Sequence, residues 1–267
     1  MINFKEGYLP EYFRLDSTGY SGWSSLPSQF EIEKYSYDDF KKLKLAHVPK
    51  ASVNLRPRPY IVFFSQLPSD TVMSISNFTQ AEILESLVKY GEKFCCDVFL
   101  KIHPVYMKRI KKNIQSVRDH EFEFCIADFI KKGRVQLIDE SVHSLAQSAK
   151  AIFTTNSTTG FESLLHEKPV FTFANSDYQL ATYRTKTSEW ALWEDVIKNH
   201  EKKSIIADFV LTYLNKYSFN YEEKGLEGKI IKYMTQYFRA RDSAHRSKEC
   251  QSMNSQTILA NICDNLF

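Results

Sequence analysis

Three short polar stretches of the sequence contain residue types that bind or cleave phosphorylated ligands. They are SQLPSD (65–70), KIHP (101–104) and TTNSTTG (154–160). The first supplies the carboxylate Asp70 and the amide Gln66, and the second supplies His103 and Lys101, which can donate to a phosphate oxygen. The third offers five hydroxyls and the amide of Asn156 directly before an amphipathic stretch. Together these groups predict an anion-binding site with a carboxylate beside it.

Each stretch also has a purely structural interpretation. Asp70 can cap a turn, and His103 can be a satisfied capping histidine. Thr159 or Ser157 can be the N-cap of the next helix, with Glu162 in its first turn as the partner of a capping box. A cap needs one hydroxyl and this turn has five, so the surplus favours an anion at the helix start. The N–H groups there stabilise an anion by roughly 0.3–1 kcal/mol per charge when exposed.

Alternating strand and helix patterns surround these stretches. Short apolar runs predict strands at 60–66, 97–102, 134–139, 151–156 and 169–174, and helical periodicity predicts helices at 80–94, 105–118, 123–133, 141–150 and 160–167. Pro104 and Ser141 are predicted helix starts, and Gly133 is a predicted helix end. This order predicts an α/β fold with a doubly wound, mostly parallel sheet, in which ligands bind beyond the carboxyl ends of the strands. All three polar stretches follow strands at that edge.

The two ends of the chain have weaker patterns. Residues 1–26 are predicted as loop, and a helix over 27–45 is predicted to start at Pro27 and Ser28. After a polar loop at 175–190, the pattern predicts helices at 201–217 and 222–240, a polar tail at 239–256 and a small helix at 258–267. We therefore expect additional C-terminal helices beside the sheet.

Composition excludes several function classes. The net charge of the 267 residues is only +3, which argues against a nucleic-acid binder, and no apolar run approaches the ~20 residues of a membrane span. Five scattered cysteines form no C-x-x-C pair and the histidines show no metal-ligand spacing, so we expect a cytoplasmic protein with reduced thiols and no metal or other cofactor. There is no G-x-G-x-x-G or P-loop motif, so the sequence supports neither a dinucleotide fingerprint nor a P-loop NTPase, and a nucleotide held through one or two phosphates stays compatible with it.

The order of the motifs resembles that of a known family. Q-x-x-x-D after one strand, K-x-H-P after the next, N-S-T-x-G-x-E before a late helix and a following K-P-V resemble the capsule polysaccharide biosynthesis family, which includes the bacterial β-Kdo glycosyltransferases. EGYLPEYFRLDSTGYSGWSSLP (6–27) is similar to that family's E-x-G-Y-L-R-P segment and the G-x-x-G-x-S element after it. The arginine of L-R-P is absent, because Pro10 follows Leu9 directly. The resemblance extends from about Glu6 to Tyr178.

The resemblance implies a fold, a donor and a set of site residues. The fold is a two-domain GT-B-like arrangement, of which this chain supplies the Rossmann-like donor half, and the donor is CMP-Kdo. Asp70 corresponds to the proposed catalytic nucleophile, His103 to the histidine that faces the donor phosphate, and Glu6 to an acidic residue that acts on the acceptor. The implied donor-binding residues are Gln66, Lys101, Asn156, Ser157, Thr158, Gly160 and Glu162.

The implied reaction is consistent with the chemistry of these residues. A carboxylate below the anomeric carbon can trap the oxocarbenium-like centre, so two displacements give retention of configuration without a metal. The leaving phosphate is stabilised by His103 and the helix start. The carboxylate of Kdo itself can pair with Lys101, Arg56, Arg58 or Arg184, and the sequence does not choose among them.

The chain departs from the family at its start, which lies five residues before the E-G-Y segment. We therefore predict that residues 1–55 are a remnant of the acceptor-side domain and a linker, 56–200 the nucleotide-sugar domain, and 201–267 C-terminal helices and tail. On this interpretation the chain is a fragment, is completed by a partner chain, or is a shortened relative.

Three functions follow from these patterns. The first is transfer of Kdo from CMP-Kdo to a glycolipid or polysaccharide acceptor. The second keeps the fold but uses another donor, such as a UDP-sugar or a CDP-linked group, and the third is a non-catalytic binding partner. The basic runs 108–112 and 239–248 are either solvated faces or contacts to anionic lipid at the inner membrane.

Overall fold

The computed structural model describes residues 3–16, 19, 21–24, 26–50, 56–112 and 116–245. These residues form two compact units that divide between Ser218 and Phe219. The predicted small helix at 258–267 lies outside the described residues, as does the polar tail beyond 245. Within the described part of the chain, no helix combines the length and apolar character needed to cross a bilayer.

The strands and helices of the first unit follow one another in the order expected for an α/β fold. The strands are β1 (Asn3–Glu6), β2 (Tyr12–Asp16), β3 (Tyr60–Phe64), β4 (Asp97–Lys101), β5 (Gln136–Leu137), β6 (Ala151–Thr154), β7 (Val170–Thr172) and β8 (Tyr183–Arg184). The helices are α1 (Leu26–Gln29), α2 (Tyr37–His47), α3 (Gln80–Phe94), α4 (Pro104–Lys112), α5 (Val117–Lys131), α6 (Val142–Ser148), α7 (Thr158–Leu164), α8 (Trp190–Asn199) and α9 (Lys203–Lys216). Short 3-10 turns are present at 21–23, 71–75 and 179–181.

Six of these strands form one sheet in the order β5-β4-β3-β6-β7-β8, and every pair is parallel. The chain starts the sheet at β3, adds strands on one side and then reverses to the other side at β6. This reversal is the switch point of a doubly wound, Rossmann-like sheet, where ligands bind. The predicted fold class is confirmed.

Alternating residues of the central strands pack on opposite faces of the sheet. In β3, Tyr60, Val62 and Phe64 belong to one apolar cluster, which includes Leu145 of α6 and Phe161 of α7. Ile61 and Phe63 point to the other face, where the cluster includes residues of α3, α5 and α8. Both faces of β3 are buried, which is why this strand appears in the sequence as a continuous apolar run.

The N-terminal region is not the loop that the sequence predicts. β1 and β2 pair as an antiparallel hairpin, with Glu6 opposite Phe13. The turn of the hairpin requires glycine at position 7, because a Cβ there would lie 2.4 Å from the carbonyl oxygen of Tyr12. The predicted helix start at Pro27 and Ser28 is also wrong for the longer helix, since α2 begins after the N-cap Ser36.

Most predicted elements of the sheet region exist, with shifted ends. Gly133 has a φ of 65° and follows α5, and the N–H groups of Gly133 and Arg134 donate to carbonyls of the last turn, as predicted for a helix-ending glycine. Ser141 is the N-cap of α6, and Pro104 is the first residue of α4. The strand predicted at 134–139 is only two residues long, and α5 begins at Val117 rather than at 123.

The stretch predicted as a polar loop at 175–190 contains strand β8, and helix α8, which was not predicted either, begins at its end. Its N-cap is Glu189, which makes no capping hydrogen bond with its side chain. Six of the ten residues of α8 are apolar, but its start has no capping residue and therefore gives no local signal. Trp193 nevertheless buries fully against the aromatic rings of β6 and β7, so tertiary packing stabilises this helix.

The second unit consists of the short strand β9 (Phe219–Asn220) and helix α10 (Leu226–His245). The rings of Phe219 and Tyr233 meet edge to face with centroids 5.6 Å apart. Lys229 forms an ion pair with Glu223 at 2.8 Å. The unit therefore has its own local contacts between strand and helix.

Candidate functional site

All predicted site residues except Glu6 lie at or after the ends of β3, β4 and β6, and these three strands are neighbours in the sheet. Two hydrogen bonds join the first two loops: the Ser65 N–H donates to the Lys101 carbonyl at 3.1 Å, and the His103 N–H donates to Ser65 Oγ at 3.2 Å. The parallel register therefore brings SQLPSD and KIHP side by side at the carboxyl edge of the sheet, as the sequence predicts.

Asp70 is the N-cap of the 3-10 turn at 71–75. Its Oδ1 accepts hydrogen bonds from the Val72 N–H at 3.4 Å and from Thr71 Oγ1 at 3.2 Å. The structural interpretation of Asp70 as a turn cap is therefore correct. The side chain is only half-buried, and both of these bonds end on Oδ1, so the cap is compatible with a second role for Oδ2.

His103 lies half-buried between two opposite charges. Burial lowers the pKa of His103, as does the nearby Arg109, whereas the Asp70 carboxylate raises it, and the net shift is downward. The imidazole is therefore neutral at neutral pH. Its Nδ1 accepts a hydrogen bond from the Val105 N–H at 3.2 Å, so the proton of the neutral ring lies on Nε2. The ring thus presents an N–H donor.

The polar turn after β6 begins a helix one residue after Ser157. Ser157 is the N-cap of α7, and its Oγ accepts from the Thr159 N–H at 3.4 Å. The expectation that Glu162 lies in the first turn and completes a capping box is wrong, because the third helical position is Gly160. α7 spans only seven residues, so side-chain hydroxyls and amides matter more here than the helix dipole.

Glu162 is a half-buried carboxylate on α7. Burial alone raises the pKa of Glu162. Thr158, at the start of the same helix, is exposed. These two side chains therefore differ in their access to a ligand, although both belong to the predicted donor-binding set.

Gly160 has a packing reason to be glycine. A Cβ at this position would lie 2.6 Å from Tyr178 Oη and 3.1 Å from Thr154 Cγ2. Tyr178 is fully buried, and its hydroxyl donates to the Ser157 carbonyl at 2.6 Å. The Tyr178 hydroxyl thus stabilises the polar turn, and glycine at position 160 leaves room for the tyrosine ring.

Gln80 joins two loops of the site and was not predicted from the sequence. Its Oε1 accepts from the Gln66 N–H at 3.1 Å, and its Nε2 donates to Thr155 Oγ1 at 2.8 Å. Gln80 is the first residue of α3 and is 2% exposed. A helix-start glutamine has no distinctive sequence pattern, so only the tertiary structure shows this bridge between the ends of β3 and β6.

Several buried polar atoms at this edge of the sheet have no hydrogen-bond partner within the described residues. They are Gln66 Oε1, Asn156 Oδ1, Thr159 Oγ1, Ser176 Oγ and Asp177 Oδ1. Leaving such an atom unpaired costs about 1–3 kcal/mol. A polar ligand that reaches these groups would recover that free energy, and we regard them as the strongest sign of a binding site.

A buried charged cluster attaches the N-terminal hairpin to the loop after β7. Tyr8 donates to Asp177 Oδ2 at 3.0 Å and stacks on Phe161 with ring centroids 4.7 Å apart. Arg14 contacts the same carboxylate at 3.0 Å, and Lys5 Nζ lies 3.5 Å from it. Burial, the largest effect, and the nearby Arg14 lower the pKa of Lys5, although Asp177 opposes this. The E-G-Y segment is thus held against the candidate site through Tyr8.

The remaining predicted residues are placed less centrally. Glu6 ends β1 with an exposed side chain, and it has no hydrogen bond or ion pair to the described residues of the three strand ends. Lys101 ends β4, and its Nζ lies 3.5 Å from the exposed Asp139. Arg58 pairs with Asp97 at the opposite, amino-terminal edge of the sheet, so it does not face the site.

The other two arginines considered for the sugar carboxylate are also outside the central loops. Arg56 pairs with Glu140 and lies over the ring of Phe99. Arg184 ends the edge strand β8. Arg109 of α4 lies closer to the site, because it hydrogen-bonds Ser69 and influences His103.

An open groove of about 450 Å³ adjoins the KIHP loop. Its walls are mostly apolar, and its charged residues are three lysines and one aspartate. The lining residues are Leu100, Lys101, Ile102, Pro104, Met107, Lys108, Lys111, Leu137, Ile138 and Asp139. The groove is large enough for a small ligand or part of a larger one.

Comparison with solved structures shows which known proteins share this fold. Thermosulfurimonas dismutans KpsC, a β-Kdo 2,7 transferase, matches with a TM-score of 0.55 at 17% identity, over 88% of this chain and 78% of that chain. The T. dismutans KpsC β-Kdo 2,4 transferase gives a TM-score of 0.48 at 16% identity, over 82% and 73%. Anabaena Alr3699/HepE in complex with UDP gives 0.41 at 15%, over 78% and 56%. At this level of identity, the first match shows a shared fold.

Comparison at the level of sequence gives a family. No curated protein matches the chain. The family model described as capsule polysaccharide biosynthesis protein matches residues 32–223, which is more than half of the chain. That range contains the SQLPSD, KIHP and TTNSTTG stretches, which lie at the carboxyl edge of three neighbouring strands. The chain belongs to the capsule polysaccharide biosynthesis family.

Proposed function

We propose that this protein is a glycosyltransferase of capsule or surface polysaccharide synthesis that transfers Kdo from CMP-Kdo to a glycolipid or polysaccharide acceptor with retention. The observation that carries the proposal is the convergence of Asp70, His103 and the unpaired polar atoms of the Asn156 turn at one edge of the sheet. Family membership and the fold shared with a β-Kdo 2,7 transferase support it.

The donor nucleotide binds across the loops after β3, β4 and β6. The Nε2–H of the neutral His103 donates to a phosphate oxygen. The buried Thr159 hydroxyl, which has no partner within the described residues, also donates to the phosphate, whereas the unpaired Asn156 Oδ1 accepts from an N–H or O–H group of the donor. Charge on the leaving phosphate is thus offset by preorganised donors, which is the main requirement for breaking the bond from sugar to phosphate.

Transfer then proceeds in two displacements. Asp70 Oδ2 bonds to the anomeric carbon as the bond from that carbon to the phosphate oxygen breaks, and CMP leaves with the electron pair. The acceptor hydroxyl next attacks the same carbon, its proton passes to a base, for which the resemblance suggests Glu6, and the Asp70 carboxylate is released. Two inversions give net retention.

The decisive experiment compares the unmodified protein with Asp70→Asn, with CMP-Kdo and a glycolipid acceptor. Asparagine is as good an N-cap as aspartate, so the 3-10 turn and the melting temperature should be preserved. Product formation should fall by on the order of 10³-fold or more, because the nucleophile is gone. Equal product from the two proteins would remove Asp70 from the mechanism.

A binding assay separates this function from its alternatives. We expect CMP to raise the melting temperature and UDP to have little effect. A shift with UDP and none with CMP would replace Kdo transfer by transfer from a UDP-linked donor. Tight CMP binding with no turnover under any acceptor would favour a non-catalytic binding role, either alone or with a partner chain.

The proposal includes peripheral contact with the cytoplasmic face of the inner membrane through the groove beside α4. Lys108 and Lys111 are exposed at this groove, and Met107 is 41% exposed. Each lysine near an anionic bilayer contributes about 1 kcal/mol. Reversing both charges should therefore abolish sedimentation with vesicles that contain phosphatidylglycerol, whereas reversing Lys41 and Lys42 of α2 should not. Equal loss in both variants would refute a specific groove contact.

A further inference from the structure

We propose that Arg109 binds the carboxylate of the donor sugar and that the buried Asp119 positions it for this role. The inference rests on the proposed transfer of a keto-acid sugar and adds to it the residue that recognises the acid. In the sequence, Arg109 is one member of the basic run 108–112, which was predicted as a solvated face or a lipid contact. The structure places it differently from its neighbours.

Arg109 turns toward the nucleophile loop. Its Nη1 donates to Ser69 Oγ at 2.6 Å, and Ser69 directly precedes Asp70. The side chain of Arg109 keeps 37% of its surface exposed, so a ligand can reach the guanidinium. Lys108 and Lys111 line the groove beside β5 instead. A cation is thus held within one residue of the attacking carboxylate.

The buried Asp119 holds both Arg109 and Ser69. Its side chain is 1% exposed, and its Oδ2 lies 3.9 Å from Arg109 Nη1. Both carboxylate oxygens accept from Ser69 Oγ at 3.3 Å, while Oδ2 also accepts from the Ser116 N–H and Oγ at 2.9 Å. Most hydrogen bonds of the Asp119 carboxylate are therefore to serines, so N–H groups of the Arg109 guanidinium remain available to a ligand.

The positive charge of Arg109 affects His103, a second residue of the candidate site. The positive charge of Arg109 lowers the pKa of His103, whereas Asp70 raises it and burial lowers it most. The Arg109 charge acts on the imidazole from α4 and the Asp70 charge acts on it from the nucleophile loop. Arg109 is therefore close enough to the reacting groups to influence an anion bound between them.

The chemistry of the donor explains why a cation is needed at this position. In a keto-acid sugar such as Kdo, the carboxylate is attached to the same carbon that the nucleophile attacks. Attack by Asp70 therefore brings two carboxylates together, and their repulsion has to be offset. The leaving phosphate lies on the opposite side of that carbon from the nucleophile. A cation bonded to Ser69 consequently faces the sugar carboxylate rather than the phosphate.

The test compares CMP with CMP-Kdo in a background that cannot turn over. Calorimetry on Asp70→Asn and on Asp70→Asn with Arg109→Gln measures both affinities. We expect CMP to bind both proteins equally within about twofold and CMP-Kdo to bind the Arg109 variant at least tenfold more weakly. Lys112→Gln removes the same charge from an exposed position of the same helix and should change neither affinity.

The alternative outcomes each overturn part of the reasoning. An equal loss of CMP and CMP-Kdo affinity would assign Arg109 to the phosphate, and no loss of either would make it structural; both results overturn the inference. If Asp70→Asn alone binds neither ligand, the proposed function fails and the inference fails with it, a result visible before Arg109 is changed. Asp119→Asn with an unaltered ratio of the two affinities would remove Asp119 as a positioning residue.

Discussion

Gly160 provides a sharp test of how the polar turn is built. In Gly160→Ala, the added methyl would lie 2.6 Å from Tyr178 Oη and 3.0 Å from Cζ. The tyrosine cannot withdraw freely, because it is fully buried and packs edge to face on Tyr8 with centroids 5.4 Å apart. The substitution must therefore shift α7 or break the hydrogen bond from Tyr178 to the Ser157 carbonyl.

The expected cost combines three contributions. Overpacking costs about 1–3 kcal/mol, and loss of a buried hydrogen bond adds about 1 kcal/mol. Alanine gains up to about 1 kcal/mol over glycine inside a helix. We therefore expect Gly160→Ala to lower the free energy of unfolding by about 2 kcal/mol, measured from the urea midpoint and slope. Gly228→Ala on α10 is the matched control, since no atom of the described residues outside its own helix backbone and its chain neighbours lies within 4 Å of the added methyl.

A double-mutant cycle tests whether Tyr178 is the residue that leaves no room for a side chain at position 160. Tyr178→Phe removes the atom nearest to the new methyl, so the double variant should lose at least about 1 kcal/mol less than the sum of the single losses. Additivity within about 0.5 kcal/mol would show that Tyr178 does not enforce the glycine. A Gly160→Ala protein of full stability that no longer binds CMP would instead show that the glycine is needed by the ligand.

Other predictions concern buried polar groups. Burial and, after it, nearby charges lower the pKa of His166 to about 3. This is below the pKa in the unfolded chain, so the free energy of unfolding decreases as the pH falls below about 6.5. His166→Gln should reduce this decrease between pH 7 and 5 by about 2 kcal/mol, measured by urea unfolding. Gln80→Leu unpairs Thr155 and a buried N–H and should cost about 2–4 kcal/mol and weaken CMP binding in calorimetry. Arg14→Met leaves Asp177 with less countercharge and should cost about 3 kcal/mol by the same unfolding assay. An unchanged unfolding midpoint in any of these would contradict the corresponding contact.

Local patterns were sufficient for five of the six strands of the parallel sheet, and β8 lies in the stretch that was predicted as a polar loop. Continuous apolar runs such as 60–64 favour strands buried on both faces, and strands that alternate with helices through short connections favour a parallel order. Caps and glycines fixed several ends, as at Ser141 and Gly133. The N-terminal hairpin was missed because its strands are short and its turn residues lack a two-residue hairpin signature.

The positions of the candidate reactive residues were predictable from the sequence, whereas the buried residues that hold their loops in place were not. Asp70 and His103 stand next to strand ends, so the sheet rule places them without further information. Gln80 and Asp119 act through contacts across 75 and 50 residues, and no local spacing encodes such distances. The same applies to Tyr8, whose partner Asp177 is 169 residues away.

This division between local and distant signals has a physical origin. A reactive side chain must reach the ligand, so it occupies a loop at the sheet edge, where small and polar residues stand out in the sequence. A supporting side chain must be buried, and there it replaces water by contacts that any distant segment can supply. Arg109 belongs to both groups: its place in the basic run 108–112 gave the prediction of a solvated helix face, whereas its hydrogen bond to Ser69 ties it to the nucleophile loop. Helix exposure alone therefore cannot separate a binding arginine from a solvated one, whereas the affinity ratio for CMP and CMP-Kdo can.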